Sequence, residues 1–185
     1  MTKAAKLARG ITNNLISSTT TADTANVSMT VGGYDNYRLE VIGLVAATDD
    51  VDGKLEFSTD SGSSYIGNSI YGSYLAFRID SASVDGIAND SNNAAFLTVG
   101  NDYDSTASVG STLEIWMPNL SNGVVTGQRR NGWWHYSGYV HNNQIKHTYG
   151  GFHITNTTAF DNIKFSFSSG NITTGVFNLY GVESV

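Results

Sequence analysis

Cysteine is absent from this 185-residue chain, and proline occurs once. Without cysteine the chain has no disulfide framework, no thiolate-bound metal and no cysteine nucleophile. A single proline excludes collagen-like and proline-rich stalks. Charged residues are also scarce, at 14% of the chain against about 25% in an average globular protein. The length suits one domain, and the 40% apolar and 11% aromatic residues exclude a disordered chain.

Basic residues are few, with ten Lys and Arg against 16 Asp and Glu. Three of the ten, Lys3, Lys6 and Arg9, lie in the first nine residues, and no acidic residue precedes Asp23. The remaining body is strongly acidic, which argues against nucleic-acid binding because phosphate neutralisation needs clustered cations. The cationic start is not followed by the apolar segment of a signal peptide, and no apolar run is long enough to span a membrane. We therefore expect a chain that is made and folded in a cytosol.

Residues 1–25 are predicted to form an N-terminal arm, and residues 26–185 the folded domain. Helix propensity favours a short helix over residues 2–7, which Gly10 would end. Apolar residues of the arm recur at the spacing of one helical face, with enough surface to lie in a groove of a partner. We expect the arm to stay off the edge of its own sandwich. The expected contact residues are Lys3, Lys6, Leu7, Arg9, Ile11 and Leu15.

From Val27 onward, apolar residues alternate with polar ones at a period of two. A representative run places Leu113 and Ile115 on one face and Glu114 and Trp116 on the other. Further alternating runs lie at 37–41, 54–58, 75–79, 152–155 and 163–168. Turn signals such as Asp-Gly and Asn-Gly separate the runs. Eight or more short strands of this kind predict an antiparallel β-sandwich or barrel.

Two details of the strand pattern carry their own predictions. In the run at 75–79, the alternation assigns Leu75, Phe77 and Ile79 to the core face. Residues 81–93 are rich in Ser, Asp and Asn, and this composition predicts an exposed loop. A second loop is expected at 100–110.

The densest aromatic group is formed by Trp133, Trp134, His135, Tyr136 and Tyr139. If residues 132–141 form one strand, then Trp133, His135 and Tyr139 share one face, while Trp134 and Tyr136 share the other. One face packs in the core, and aromatic residues remain on the opposite face. Exposed aromatic residues indicate either a subunit interface or a platform for stacking on sugars, and both interpretations stay open.

Four histidines, at positions 135, 141, 147 and 153, are each six residues apart. No pair has the short spacing of zinc motifs, and Gly150-Gly151 is predicted to interrupt any single strand that would align them. Sequence motifs of serine hydrolases, zinc proteases, P-loop proteins and dinucleotide-binding proteins are absent. We therefore expect no metal, no cofactor and no enzymatic activity.

Two stretches of the chain resemble a known family. Asn36–Tyr65 includes Asn-Tyr-Arg-Leu-Glu-Val and Asp-Gly-Lys-Leu-Glu-Phe, and Asn162–Val182 combines a Ser-Gly-Asn-Ile turn with a Leu-Tyr-Gly strand. Both resemble the jelly-roll structural proteins of tailed-bacteriophage virions, which include head decoration or cement proteins and distal domains of tail fibres. The resemblance implies an all-β jelly-roll sandwich and a structural role, and it supplies no catalytic residues.

The same resemblance implies partners and a location. A domain with a short arm and no fibre shaft favours a decoration protein on the outer capsid surface, which stabilises the junctions between capsomers. Its partners would be the major capsid protein and further copies of this chain, in a homotrimer. The alternative is a tail-fibre or receptor-binding, lectin-like module, in which Trp133, Tyr136 or Tyr139 stacks on a host surface glycan.

Overall fold

The structure is a computed structural model, and it describes residues 12–79, 89–100, 103–105, 110–123, 129–140 and 144–183. No helix that could cross a membrane occurs in these residues. The described strands, in chain order, are β1 (Thr12–Thr24), β2 (Asn26–Thr30), β3 (Asn36–Ala46), β4 (Gly53–Ser58), β5 (Ile70–Ile79), β6 (Asn89–Ala94), β7 (Leu97–Thr98), β8 (Ser111–Met117), β9 (Arg130–Val140), β10 (Gln144–Ile154), β11 (Asn162–Phe167) and β12 (Ile172–Glu183).

The strands form two antiparallel sheets. The large sheet has the order β1-β12-β3-β8-β9-β10-β5-β6, and the small sheet has the order β2-β11-β4-β7. Eight of the strands have the connectivity of a jelly roll. They form two four-stranded sets, with the orders β1-β12-β3-β8 in the large sheet and β2-β11-β4-β7 in the small sheet. The strands β9, β10, β5 and β6 extend the large sheet at one side. The prediction of an all-β, antiparallel jelly-roll sandwich is confirmed.

The hydrophobic core lies between the inner faces of the two sheets. In β3, Tyr37, Leu39 and Val41 are fully buried, as their alternation predicts. Aromatic rings join the sheets: the Phe165 and Phe177 centroids are 5.4 Å apart, linking β11 to β12. The rings of Phe57 in β4 and Phe152 in β10 lie 6.4 Å apart. The core therefore extends beneath the added strands as well as the jelly roll.

The N-terminal segment corrects the predicted arm. Strand β1 pairs with β12 along its whole length, from Thr12 opposite Glu183 to Thr24 opposite Ile172. Its Thr-rich sequence favours extended backbone, and it supplies hydrogen-bond partners that β12 would otherwise lack at the sheet edge. The prediction that this segment stays off its own sandwich is wrong over residues 12–24. Residues 1–11, including the predicted helix, lie outside the described residues.

Strand β5 presents the face opposite to the predicted one. Leu75 is 42% exposed, whereas Ala76 is buried. The inner side of β5 also holds Tyr74, which packs against the core, its ring centroid 5.9 Å from that of Trp134. Trp134 and Tyr74 fill the core beneath β5. The small Ala76 therefore points inward, and Leu75 points outward. The side chains of Phe77 and Ile79 lie outside the described residues.

Both predicted loops are partly structured. Within the first, Asn89–Ala94 forms β6, which pairs with β5, while residues 81–88 lie outside the described residues. Within the second, Tyr103 is fully buried and forms a β-bridge with Val51. Its hydroxyl donates to the Val99 carbonyl oxygen at 2.7 Å. The prediction of a loop is therefore wrong for residues 89–93, which lie in β6. The predicted loop at 100–110 holds a buried, bridged residue at Tyr103.

Arg130, at the start of β9, fastens two loops to the sandwich. Its side chain is almost fully buried, and its guanidinium lies 4.7 Å from the centroid of the Phe160 ring. Burial lowers the pKa of Arg130 from its usual value. The guanidinium donates hydrogen bonds to the backbone carbonyl oxygens of Asn119, Asn122, Asn156, Thr157 and Thr158.

Candidate functional site on the outer face of the large sheet

Strand β9 separates the predicted aromatic group into two faces. Trp134 and Tyr136 are buried, while Trp133 is 45% exposed and His135 is half-buried. The predicted division of this strand is confirmed for these four residues. Trp134 and Tyr136 therefore belong to the core and are not available to a ligand. The side chain of Tyr139 lies outside the described residues.

The outward-facing residues of three neighbouring strands form a grid of nine positions, which we call the outer aromatic face. Strand register aligns Gly151 of β10 with Trp133 of β9 on one side and with Ser73 of β5 on the other. Gly151 is therefore the centre of the grid. The nine positions are Asn131, Trp133 and His135 in β9, His153, Gly151 and Tyr149 in β10, and Tyr71, Ser73 and Leu75 in β5.

Ring stacks run across this face and onto the next strand, β8. In each stack the two ring planes lie within 12° of parallel, and each stack joins neighbouring strands. Cross-strand aromatic pairs of this kind fix side-chain orientation. The face is therefore a set of ordered rings. The stacks are Trp116 with Trp133 (centroids 6.4 Å apart), His135 with Tyr149 (4.4 Å) and Tyr71 with His153 (4.7 Å).

A depression of about 450 Å³ opens at the centre of the grid, and we call it the Gly151 hollow. Tyr71, Ser73 and His153 line one side of it, and Gly132 and Gly151 contribute backbone. No lysine, arginine, aspartate or glutamate belongs to its lining among the described residues. The hollow is thus uncharged and bordered by aromatic rings and a hydroxyl group.

A charged strip borders the aromatic face on the side of β3 and β12. Glu40 and Glu114 are directly opposite in register, an arrangement that is unfavourable for like charges. Arg38 offsets it with an ion pair of 3.3 Å to Glu114, and its guanidinium lies 4.6 Å from the Tyr180 ring centroid. The Tyr180 hydroxyl donates to Glu40 at 3.1 Å, and burial together with Glu40 raises the Tyr180 pKa. Both carboxylates therefore have partners within the sheet.

The histidines do not converge on one point. The rings of His135 and His147 have centroids 6.3 Å apart, whereas His153 stacks on Tyr71. Burial, followed by the neighbouring His147, lowers the His135 pKa, while Glu114 acts in the opposite direction. Across the described ranges, no three His, Asp or Glu side chains are grouped closely enough to hold a metal ion. His141 lies outside the described residues.

The predicted arm contacts are only partly placed. Lys3, Lys6, Leu7, Arg9 and Ile11 lie outside the described residues. Leu15 lies in β1, opposite Tyr180, and is 57% exposed. Because Leu15 is in a strand, the helical face predicted to include it is wrong, although its exposure leaves it accessible to a partner.

Several residues on or beside the face were not proposed as site residues from the sequence. Trp116 of β8 and Tyr71 of β5 both point outward from their strands, and Tyr149 follows His147 by two residues in β10. Gly151 was interpreted together with Gly150 as a strand break. That interpretation is wrong, because β10 pairs continuously through both glycines on either side. The alternation phase was the signal that would have found Trp116.

Comparison with known proteins gives little further information. No protein family matches the chain, and no curated protein matches it. Among solved structures, a legume lectin-like domain from Entamoeba histolytica aligns with 99% of this chain and 93% of its own, with 10% sequence identity and a TM-score of 0.33. At that identity and TM-score, the likeness says nothing about what this chain binds.

Proposed function

We propose that this chain is a structural protein of a tailed-bacteriophage virion, which attaches to the outer surface of the head and joins neighbouring capsomers. The stretches that resemble phage jelly-roll proteins, Asn36–Tyr65 and Asn162–Val182, include β3, β4, β11 and β12. These are four of the eight strands of the jelly roll. The protein would act by binding and would catalyse no reaction. Because it would bury surface across the junction between two capsomers, it would oppose their separation under the pressure of the packaged DNA.

The observation that carries this proposal is a contrast between the outer faces of the two sheets. On the small sheet, charged side chains such as Lys164 and Glu56 face outward and form an ion pair of 2.8 Å. Among the described residues, the exposed large apolar side chains all belong to the large sheet. Exposed apolar surface of this kind marks protein contacts, so the large sheet would be the attachment side. These side chains are Leu15, Ile16, Ile42, Leu75, Trp133, Ile145 and Tyr149.

Binding to heads tests the proposal directly. Purified protein is added to heads of the phage that encodes it, prepared without this chain. The wild type is expected to bind and to raise the temperature at which the heads release DNA. A Leu75→Ser, Ile145→Ser variant should bind about tenfold more weakly, because burying one aliphatic side chain contributes about 1.5–3 kcal/mol and these two are partly exposed. Ser166→Ala, on the polar small sheet, is the control. Attachment to tails alone, or to neither, would refute the head assignment.

The proposed partners are the major capsid protein and two further copies of this chain. Light scattering of the purified protein is expected to give the mass of a trimer. The Leu75→Ser, Ile145→Ser variant separates the two contacts: loss of head binding with the trimer intact assigns the face to the capsid. Loss of the trimer assigns the face to subunit contact. A monomeric wild type, both free and on heads, would contradict the trimer.

A second candidate function is receptor binding by a lectin-like module at the virion tail. The observation that favours it is the aromatic content of the outer face around the Gly151 hollow. Purified protein should then compete with phage for adsorption to host cells. An unchanged adsorption rate at saturating protein would exclude this second candidate and leave the attachment function unaffected.

A further inference from the structure

Within the described part of the chain, neither packing nor backbone conformation requires a glycine at position 151. A Cβ at Gly132 would clash with the Phe152 ring and the Trp116 carbonyl, and one at Gly150 would clash with the Trp134 indole. A Cβ at Gly151 would have the Gly132 carbonyl oxygen, 3.8 Å away, as its nearest neighbour. Gly151 is not at a bulge, and its φ is not in the left-handed region.

Glycine inside a strand weakens the strand, and where packing does not require it, it often marks close approach of a ligand. Gly151 lies in the middle of β10, between β9 and β5, where a β-branched residue would stabilise the sheet. A side chain at this position would point into the hollow. The glycine therefore keeps open a space one side chain deep within the outer aromatic face.

The borders of this space combine two kinds of chemistry. The stacked Tyr71 and His153 rings line the hollow. Trp133 and Tyr149, each about half exposed, lie at grid positions next to Gly151. Polar groups lie between the rings, at Ser73 and at the exposed Asn131. A pyranose ring has a matching division, because its C–H groups form an apolar face while its hydroxyl groups form a polar rim.

We propose that the Gly151 hollow binds one pyranose ring of a neutral glycan. The ring would stack on the aromatic border, with Ser73 and Asn131 as hydrogen-bond partners of its hydroxyl groups. The hollow has the volume of a small-ligand site, within the usual range of about 300–1,000 Å³. This inference rests on the second candidate function and gives it a site and a ligand class.

The charge distribution disfavours nucleic-acid strands and phosphorylated sugars as ligands of the hollow. Nucleobases in a single strand are bound where cations follow the phosphate backbone, and the hollow has no charged lining residue in the described part of the chain. Arg38, the cation on the neighbouring strip, is paired with Glu114. The chain as a whole carries a net charge of −6, which disfavours phosphorylated sugars as well.

Titration of the purified protein with methyl glycosides of glucose, galactose, mannose and N-acetylglucosamine tests the site. One-ring ligands bind in the millimolar range, so amide and indole resonances are followed by NMR. At least one glycoside is expected to shift the Gly151 amide and the Trp133 indole N–H. Gly151→Val should abolish the shift with an equal or higher Tm. Thr112→Val, at an exposed position of the same sheet, should leave binding unchanged.

Two further variants keep the test decisive. If Gly151→Val does not fold, Gly151→Ser fills the hollow with a smaller side chain and should still weaken binding. Ser73→Ala, which leaves the aromatic border in place, should raise Kd about fivefold, the effect of one neutral hydrogen bond.

The remaining outcomes each overturn the proposal in a distinguishable way. Glycoside shifts that persist in Gly151→Val place sugar binding elsewhere and leave the receptor-binding candidate standing. No shift with any glycoside, together with unchanged phage adsorption, removes both the site and that candidate. A change of oligomeric mass in Gly151→Val assigns the hollow to contact with a second copy of the chain.

Discussion

Trp133 and Trp134 are consecutive residues of β9 that lie on opposite faces of the large sheet. Trp134 is 1% exposed and packs beside Tyr74, whereas Trp133 is 45% exposed and stacks on Trp116. The same residue type therefore has two environments within one dipeptide, because side chains alternate along a strand. The inner tryptophan therefore belongs to the core, and the outer one is accessible to a partner.

Alanine at each position is expected to separate these roles. Trp134→Ala should reduce the free energy of unfolding by about 3–5 kcal/mol, the usual range for emptying a buried aromatic site. Trp133→Ala should cost about 1 kcal/mol, since it removes mainly a ring stack. Urea denaturation measures both. Equal losses in the two variants would contradict the assignment of faces. Intact attachment and intact glycoside binding in Trp133→Ala would show that Trp133 contacts neither partner.

The pairing of Thr12–Thr24 with β12 changes which truncation is informative. Deleting residues 2–11 leaves β1 complete, so the protein should fold with an unchanged Tm. Deleting residues 2–22 removes most of β1, exposes the β12 edge, and should lower Tm and promote association through that edge. Thermal unfolding and light scattering of the two truncations test this difference.

The shorter truncation also tests anchoring by the cationic segment. If Lys3, Lys6 and Arg9 orient the chain on the capsid, loss of residues 2–11 should weaken head binding without changing stability. Exposed ion pairs contribute roughly 0.2–1 kcal/mol each, so the loss should shrink at high salt. Head binding equal to that of the full chain would show that this segment is no anchor.

Arg130 is expected to matter for stability although its hydrogen-bond partners in the described part of the chain are all backbone carbonyl oxygens. Arg130→Met keeps the aliphatic volume but removes the donors to the two loops, and should cost about 2–4 kcal/mol. Arg129→Met, at the exposed neighbouring position, is the matched control and should change stability by less than about 0.5 kcal/mol. A similar effect of the two substitutions on urea denaturation would contradict the loop-fastening role.

Asp60 gives the fold a pH dependence at low pH. Hydrogen bonds from the Ser64 hydroxyl, the Ser64 amide and the Ser58 hydroxyl lower its pKa from 3.8 to about 2. Because the folded state holds its proton more weakly than the unfolded state, the stability that Asp60 adds is present above the unfolded pKa. It is lost as pH falls from 3.8 towards 2.

Comparison of the wild type with Asp60→Asn measures this contribution. The wild type should have the higher Tm at neutral pH, and the difference should decrease as the pH falls through that window. Ser64→Ala removes the largest cause of the shift and should reduce the pH dependence. A Tm difference that stays constant down to pH 2 would contradict this account.

The amino-acid sequence by itself determined the fold class and the two faces of most strands. Period-two alternation is a local property: once a segment is extended, its neighbouring side chains point to opposite faces. The inward positions of β3 and β8 were therefore readable from Leu39 and Ile115. For β9 the alternation separated Trp133 from Trp134, but it did not say which of the two faces the core. The outer partners of Trp133 were not readable, because they come from other strands.

Only the tertiary structure decided the edge strand, the phase of β5 and the hollow. Residues 12–24 look like a linker until β12, about 150 residues later, offers its free edge. Leu75 faces outward because Tyr74 and Trp134 occupy the space beneath it. The sequence predicted a strand break at Gly151, yet pairing on both sides makes it the centre of the aromatic grid. These features depend on contacts between segments that are far apart in the sequence. The alternation of residues within one strand carries no information about such contacts.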